Sequence, residues 1–201
     1  MAKEAGCEYL LNFADRQNIG YFMDMQPGRA WLSGLAEGKS VLNLFAYTRS
    51  FSVAAIAKGA TKVVNLDMSK AALAQGQRNH AHNGLGLGSG AVFLPHNLMR
   101  SWGKLKRYGL FDLVIVDPPS RQPGSFVAAE DYPRILRRLP ELLARDGHAL
   151  VCLNDPNLEV DWLERQVAEH CPDWQFVERL PNRPDFPDAY PERALKMLVY
   201  K

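Results

Sequence analysis

Hydrophobic positions along the chain fall into short runs separated by polar, glycine-rich or proline-rich breaks. Residues 40–69 show the pattern most clearly. Ser-Val-Leu-Asn-Leu-Phe-Ala is a short apolar run, Phe-Ser-Val-Ala-Ala-Ile-Ala is small and apolar at helical length, and Lys-Val-Val-Asn-Leu-Asp is a second run ending on Asp67. Apolar runs of this length beside a helix indicate strands buried on both faces. Strand, helix and strand in that order form the right-handed crossover of a parallel sheet. The alternation continues. Strands are expected at 91–95, 111–117 and 147–153, and helices at 70–83, 98–106, 128–144 and 158–170, with Pro133 and Pro140 shortening or breaking the third of these. Residues 174–180 and 194–200 are two final strands with no helix between them, joined by a Pro-rich loop at 181–191. Ahead of the main unit, 8–13 and 20–23 read as a short hairpin, and 29–36 as a short helix ended by Gly38.

This order predicts an α/β fold: a doubly wound, mostly parallel seven-stranded sheet with an antiparallel edge hairpin and a short N-terminal β extension. Residues 1–38 are the extension and 39–201 the main domain. A chain of 201 residues is long enough for one sizeable core. With 47% apolar and 23% charged residues it has the composition of a globular protein, and a net charge of +2 excludes a general polycation. Nucleic acid is neither required nor excluded, because a local basic patch is enough. Cys7, Cys152 and Cys171 have no paired spacing, which points to a reducing compartment and no zinc site. There is no membrane span and no signal-peptide pattern, so a cytoplasmic location is the default.

Asp67 follows the second strand about 20 residues past the first turn, where a carboxylate holds a ribose diol. The first turn, Phe45-Ala46-Tyr47-Thr48-Arg49-Ser50, has no glycine, so its backbone is not built to approach a pyrophosphate. An adenosine site without a pyrophosphate fits S-adenosylmethionine (SAM); a helix cap by Asp67 is the plainer alternative. Asp117-Pro118-Pro119-Ser120 closes the fourth strand. Two prolines fix two φ angles and supply no N–H, leaving a stiff turn beside a carboxylate that can accept from the amino or ring N–H of a base. Asn97 can meet an adenine edge, or cap a helix. Met68 and Leu98 can pack on its faces, or belong to the core. Asn154 is a candidate substrate contact or a turn residue, and Cys152 reads as a packed thiol. Asp24 and Arg29 precede the main unit, where an arginine can clamp a carboxylate. Arg134, Arg137 and Arg138 share a helical face, and Arg179, Arg183 and Arg193 flank the Pro-rich loop; they contact RNA phosphates or are simply solvated.

Together these residues resemble the class I SAM-dependent methyltransferases that modify large-subunit ribosomal RNA, including 5-methylcytosine and 7-methylguanosine enzymes. The resemblance runs from about Ile19 to the C-terminus. It rests on Gly20-Tyr21-Phe22-Met23-Asp24 with Arg29, Leu42 to Thr48, Phe51-Ser52-Val53, Val64 to Ser69, Asn79 with Asn83-Gly84-Leu85, and Phe111-Asp112 through Asp117-Pro118-Pro119. It implies that SAM is held by Asn43, Phe45, Ala46, Tyr47, Thr48, Ser50, Phe51 and Ser52, with Asp67, Met68 and Ser69 and with Asp24, Arg29, Asn97, Leu98 and Asp117. It also implies that Asp117, Pro118, Pro119 and Asn154 face an RNA base, with no metal.

Three positions depart from the family pattern. Arg49 stands where glycine is usual, and Gln26 where arginine is common. Asn154 replaces the catalytic cysteine of the 5-methylcytosine members. Attack on cytosine C6 needs a thiolate, so guanine is favoured over cytosine C5. A methyltransferase for a small molecule or protein, and a non-catalytic SAM- or RNA-binding module, are the competing readings.

Overall fold

A computed structural model describes residues 1–14, 18–86, 88–122 and 125–201. The chain opens with a hairpin of β1 (Ala2–Glu4) and β2 (Cys7–Tyr9), followed by α1 (Gln26–Leu35). Then come β3 (Ser40–Leu44), α2 (Ser50–Ala57), β4 (Lys62–Leu66), α3 (Lys70–His82), β5 (Ala91–Leu94), α4 (Trp102–Lys106) and β6 (Phe111–Val116). The rest is β7 (Arg121–Gln122), β8 (Phe126–Val127), α5 (Ala128–Leu136), β9 (Leu143–Leu153), α6 (Val160–His170), β10 (Phe176–Arg179) and β11 (Lys196–Tyr200).

Seven strands form the central sheet in the order β10-β11-β9-β6-β3-β4-β5. β11 runs antiparallel to both neighbours, and the pairings from β9 to β5 are parallel. The expected sheet and edge hairpin are therefore present. Each central strand feeds both layers: Leu42, Leu44, Val114 and Val116 pack with α5 and α6, while Val41, Val63, Leu113 and Ile115 pack with α1 and α2. This two-sided burial explains the unbroken apolar runs. Chain order reverses between β3 and β6, where open α/β sheets bind ligands at the carboxyl ends of their strands.

The first hairpin lies earlier than the pattern suggests. It turns at Ala5 and Gly6, both with positive φ (49° and 84°), and residues 20–23 form no strand. Strands of three residues are too short for alternation to reveal, although an Ala-Gly turn is a usable signal. The helix expected over 128–144 ends at Leu136, because Pro140 has no N–H for the Leu136 carbonyl; the Cys171 thiol donates there instead, at 3.2 Å. β9 consequently begins at Leu143 rather than 147. The helix expected over 98–106 is a 3-10 turn at Leu98–Arg100 followed by α4.

Candidate functional site

The carboxyl ends of β3, β4, β6 and β9 surround a cavity of about 640 Å³, within the ordinary size of a small-molecule site. Its rim is the 45–50 loop. Phe45, Tyr47 and Arg49 all have positive φ (56°, 44° and 65°), a conformation that costs a side-chain-bearing residue about 1–2 kcal/mol. Other segments hold the loop in place. The Thr48 hydroxyl donates to Gly20 O at 2.6 Å, the Asn79 amide to Thr48 O at 3.1 Å, and the Tyr47 hydroxyl to Asn18 O at 3.1 Å. The Tyr47 amide donates to the Asp67 carboxylate at 2.8 Å. The other Asp67 oxygen accepts from the Ser69 amide at 2.7 Å, and Ser69 itself caps α3 by accepting from Ala72 N. Asp67 thus stands on the second strand end with both oxygens oriented by backbone, beside open space.

Arg49 leaves that space clear. Its side chain is fully buried and runs away from the cavity beneath α3, where Nη1 donates to Leu73 O. The guanidinium lies 4.0 Å from the centroid of Phe93. Its Nε and Nη2 have no hydrogen-bond partner among the described residues. Burial lowers its pKa to about 9, only partly offset by Asp67. Room exists because the facing residue of α3 is Gly76: a Cβ there would lie 2.6 Å from Arg49 Nη1. Gln26 begins α1 and lies outside the cavity lining.

On the opposite wall, Asp117, Pro118 and Pro119 leave β6 and meet Asn154 at the end of β9. Ser120 Oγ donates to Asn154 O at 2.6 Å, tying the two loops together. Burial pushes Asp117 up to about 7, and the nearby Asp24 carboxylate adds to this while Arg29 opposes it. Asp24 is raised as well, chiefly by burial. Arg29 is 1% exposed and largely committed. Its Nε and Nη2 donate to the two Glu4 oxygens at 2.8 and 2.7 Å, and Nη1 donates to Phe22 O at 3.0 Å. Only Nη1 also approaches the cavity residue Ser50, at 3.5 Å.

The cavity thus gathers Asp24, Arg29, Asn43, Phe45, Ala46, Tyr47, Thr48, Ser50, Phe51, Asp67, Ser69, Asp117, Pro118, Pro119 and Asn154 from the sequence candidates. Met68, Asn97 and Leu98 line a smaller adjoining pocket of about 20 Å³, which shares Phe45, Asp67 and Gln122 with the large one. Asn97 also caps the 3-10 turn, accepting from Met99 N at 2.8 Å, and Leu98 is part of the core. Ser52 is a correction. It lies in the interior, bonded to Asn65 and His80, and touches neither pocket. Two helical steps turn it about 200° from Ser50, so when Ser50 faces the cavity, Ser52 cannot. Sequence reasoning missed Asn18, Met25, Arg121, Gln122 and Leu195 as lining, and Glu4 as the partner of Arg29. No local pattern links Glu4 to Arg29.

The chain matches, over residues 2–201, the family described as S-adenosylmethionine-dependent methyltransferase. It belongs to that family. Among curated relatives, a ribosomal RNA large subunit methyltransferase K/L of Psychrobacter cryohalolentis is 33% identical over 80% of this chain and 21% of its own length. A ribosomal RNA large subunit methyltransferase I of Aeromonas salmonicida is 30% identical over 99% of this chain and 53% of its own. This methyltransferase chain therefore spans between about a fifth and a half of those relatives. A putative methyltransferase, SMU.776, crystallised with SAH, superposes with TM-score 0.82 at 27% identity, covering 90% of this chain and 50% of that one. A putative SAM-dependent methyltransferase from Streptococcus mutans gives 0.87 at 27% identity, over 98% and 54%. The large cavity, with Asp67 and Asp117 on its lining, has the room for a nucleoside with a charged amino-acid tail. Among the described residues, no helix is long and apolar enough to cross a membrane.

Proposed function

We propose that this chain methylates a base of large-subunit ribosomal RNA, a guanine rather than cytosine C5, and that the large cavity holds SAM. The carrying observation is Asp117 on a proline-stiffened strand end, across one cavity from Asp67. Asp67 accepts from the ribose hydroxyls. Phe45, Met68, Asn97 and Leu98 border the adenine where the large cavity meets the side pocket. Asp24, Asn43 and Ser50 take the amino-acid end, with the Arg29 cation, 3.5 Å from Ser50 Oγ, behind them. The RNA-methyltransferase names of the relatives support an RNA substrate, with the reaction then in the cytoplasm, where ribosomes reside.

When bound, SAM supplies a sulfonium methyl group open to in-line attack. Asp117 and the Pro118-Pro119 carbonyls accept from the base's N–H groups, turning a ring nitrogen toward that methyl. Positioning and exclusion of water account for most of the barrier lowering in such a transfer. No thiol borders the cavity: Cys7, Cys152 and Cys171 are buried elsewhere. That speaks against a covalent cytosine adduct and for direct transfer. Arg121, at the cavity mouth, and Arg179 and Arg193 near the Pro-rich loop meet RNA phosphates. Arg134, Arg138 and Arg183 already pair with Asp131, Glu141 and Asp185.

The test is incubation of the purified chain with methyl-tritiated SAM and ribosomal RNA from cells lacking the gene, followed by nucleoside mapping. Label in one guanine of large-subunit RNA is expected. Label in free small molecules or protein alone, or in 5-methylcytosine, overturns the reading.

A further inference from the structure

Four side chains cross the core between the cavity and α3. Asn43 Nδ2 donates to Asn65 Oδ1 at 2.9 Å, and Asn65 Nδ2 donates to Ser52 Oγ at 2.9 Å. Ser52 Oγ lies 2.9 Å from His80 Nε2, and His80 Nδ1 lies 2.8 Å from Gly76 O. All four residues are nearly or fully inaccessible to solvent. The register of β3 and β4 places Asn43 directly opposite Asn65.

The direction of this chain is set from its His80 end by a backbone carbonyl, which only accepts, and is reinforced by a second carbonyl at Asn65. Gly76 O requires the proton on His80 Nδ1, so the neutral ring presents a lone pair at Nε2 and Ser52 must donate to it. Having donated its one proton, Ser52 Oγ can only accept from Asn65, which sets the nitrogen of that amide on its side, and Val92 O, 3.2 Å from the same nitrogen, reinforces this. Asn65 Oδ1 must then face Asn43, and only Asn43 Nδ2 can supply the proton. The amide assignment, ambiguous for an isolated asparagine, is thereby forced. Burial and the adjacent Arg49 cation both hold His80 below its ordinary pKa, which keeps Nε2 an acceptor. Among the described residues Arg49 is the one charged side chain acting on the ring; Ser52 bonds to it, and Phe93 packs against it nearly perpendicular with ring centroids 5.2 Å apart.

The consequence lies at the cavity end. With Nδ2 committed inward, Asn43 Oδ1 takes no hydrogen bond from the described residues and borders the large cavity. We propose that Asn65, Ser52 and His80 are positioning residues, a one-way hydrogen-bond chain that presents the Asn43 oxygen to the α-ammonium of the cofactor. This rests on the large cavity being the cofactor site. The ammonium is the matching donor: the ribose hydroxyls belong at Asp67 and the adenine amino group beyond it, toward the side pocket, which Asn43 does not line. An acceptor repels the other charged group at that end, the carboxylate.

Calorimetry with two ligands tests the chain. One is SAH. The other is its deamino analogue, identical except that hydrogen replaces the α-amino group. His80→Phe keeps a ring of similar size without nitrogens, and Ser52→Ala removes one oxygen in case the larger change prevents folding. Both variants are expected to bind SAH about tenfold more weakly, the scale of one misaimed charge-assisted hydrogen bond, while the deamino analogue binds within about twofold of wild type. Equal losses for both ligands indicate general damage to the site and overturn the proposal. Unchanged SAH binding in both variants overturns it too. A wild-type chain that binds SAH and its deamino analogue equally refutes the ammonium contact alone. One that binds neither refutes the cofactor site, and this proposal with it.

Discussion

Replacing Asp117 by asparagine tests the electrostatics of the site without changing its shape. The Asp117 carboxyl titrates near 7 rather than at the ordinary 3.8, chiefly through burial and secondarily through Asp24. Between those two pH values the folded chain retains a proton that the unfolded chain has released. Stability contributed by the proton is therefore lost as pH rises through that window and is constant above it. At about 1.4 kcal/mol per pH unit the ceiling is about 4 kcal/mol. Asp117 is half-buried and borders an open cavity, so water reduces this to about 2 kcal/mol. A carboxamide at this position cannot ionise and is free of the penalty. Urea unfolding from pH 4 to 8.5 should show the two proteins nearly equal at pH 4. At pH 8 the Asp117→Asn variant should be about 2 kcal/mol more stable and, lacking the anionic acceptor, at least about tenfold slower in methyl transfer. A stability difference that does not change with pH, or a variant less stable at pH 8, refutes the assignment of Asp117 as a carboxyl held against its preferred state.

Other substitutions probe the supports of the site. Glu4→Ala strips the buried Arg29 of its counter-ion and should cost about 3 kcal/mol in urea unfolding. Burial alone would raise the Glu4 pKa, but Arg29 holds it below the ordinary value, so in wild type this stabilisation is complete above about pH 4.5 and lost as pH falls through the lowered pKa. Gly76→Ala brings a methyl group within 2.6 Å of Arg49 Nη1. It should destabilise despite the higher helix propensity of alanine, and pairing it with Arg49→Gly should recover stability, with a coupling of about 1–3 kcal/mol in a double-mutant cycle. Cys152→Ala should leave methyl transfer within about threefold of wild type, because the buried thiol is inert; a loss beyond about a hundredfold argues for a covalent cysteine mechanism.

The parts of the fold legible in the sequence are those fixed by local pattern. β3, β4 and β6 are buried on both faces, so their apolar runs stand out. Asp67 and Asp117 are prominent because each interrupts such a run at its carboxyl end. What escaped notice depends on distant pairings or on helix phase. Glu4 has meaning only once the first hairpin is folded against α1. Ser52 sits in the middle of the motif that suggested cofactor contact, yet helical rotation carries it inward to His80. Arg121 and Gln122 line the cavity only because the chain after Ser120 folds back as β7 and β8, a pair too short to show alternation.

Arg49 shows how a departure from a family pattern can be absorbed. Glycine enters the left-handed region freely, whereas a residue with a Cβ must be held there. Here the means lie outside the loop: Gly20, Leu73 and Asn79 all bond to it, and Gly76 vacates the volume the guanidinium occupies. The glycine absent from the loop is matched, in effect, by one on the facing helix. This exchange changes the electrostatics of the interior, because a buried cation whose Nε and Nη2 find no partner among the described residues now lies beside His80. A protonated His80 could not accept from Ser52, and the hydrogen-bond chain to Asn43 would lose its support at that end, leaving Val92 O to hold Asn65. The same arginine that the loop must accommodate thus adds to burial in holding the imidazole below its ordinary pKa, so loop conformation, helix packing and the protonation of His80 are linked through one side chain.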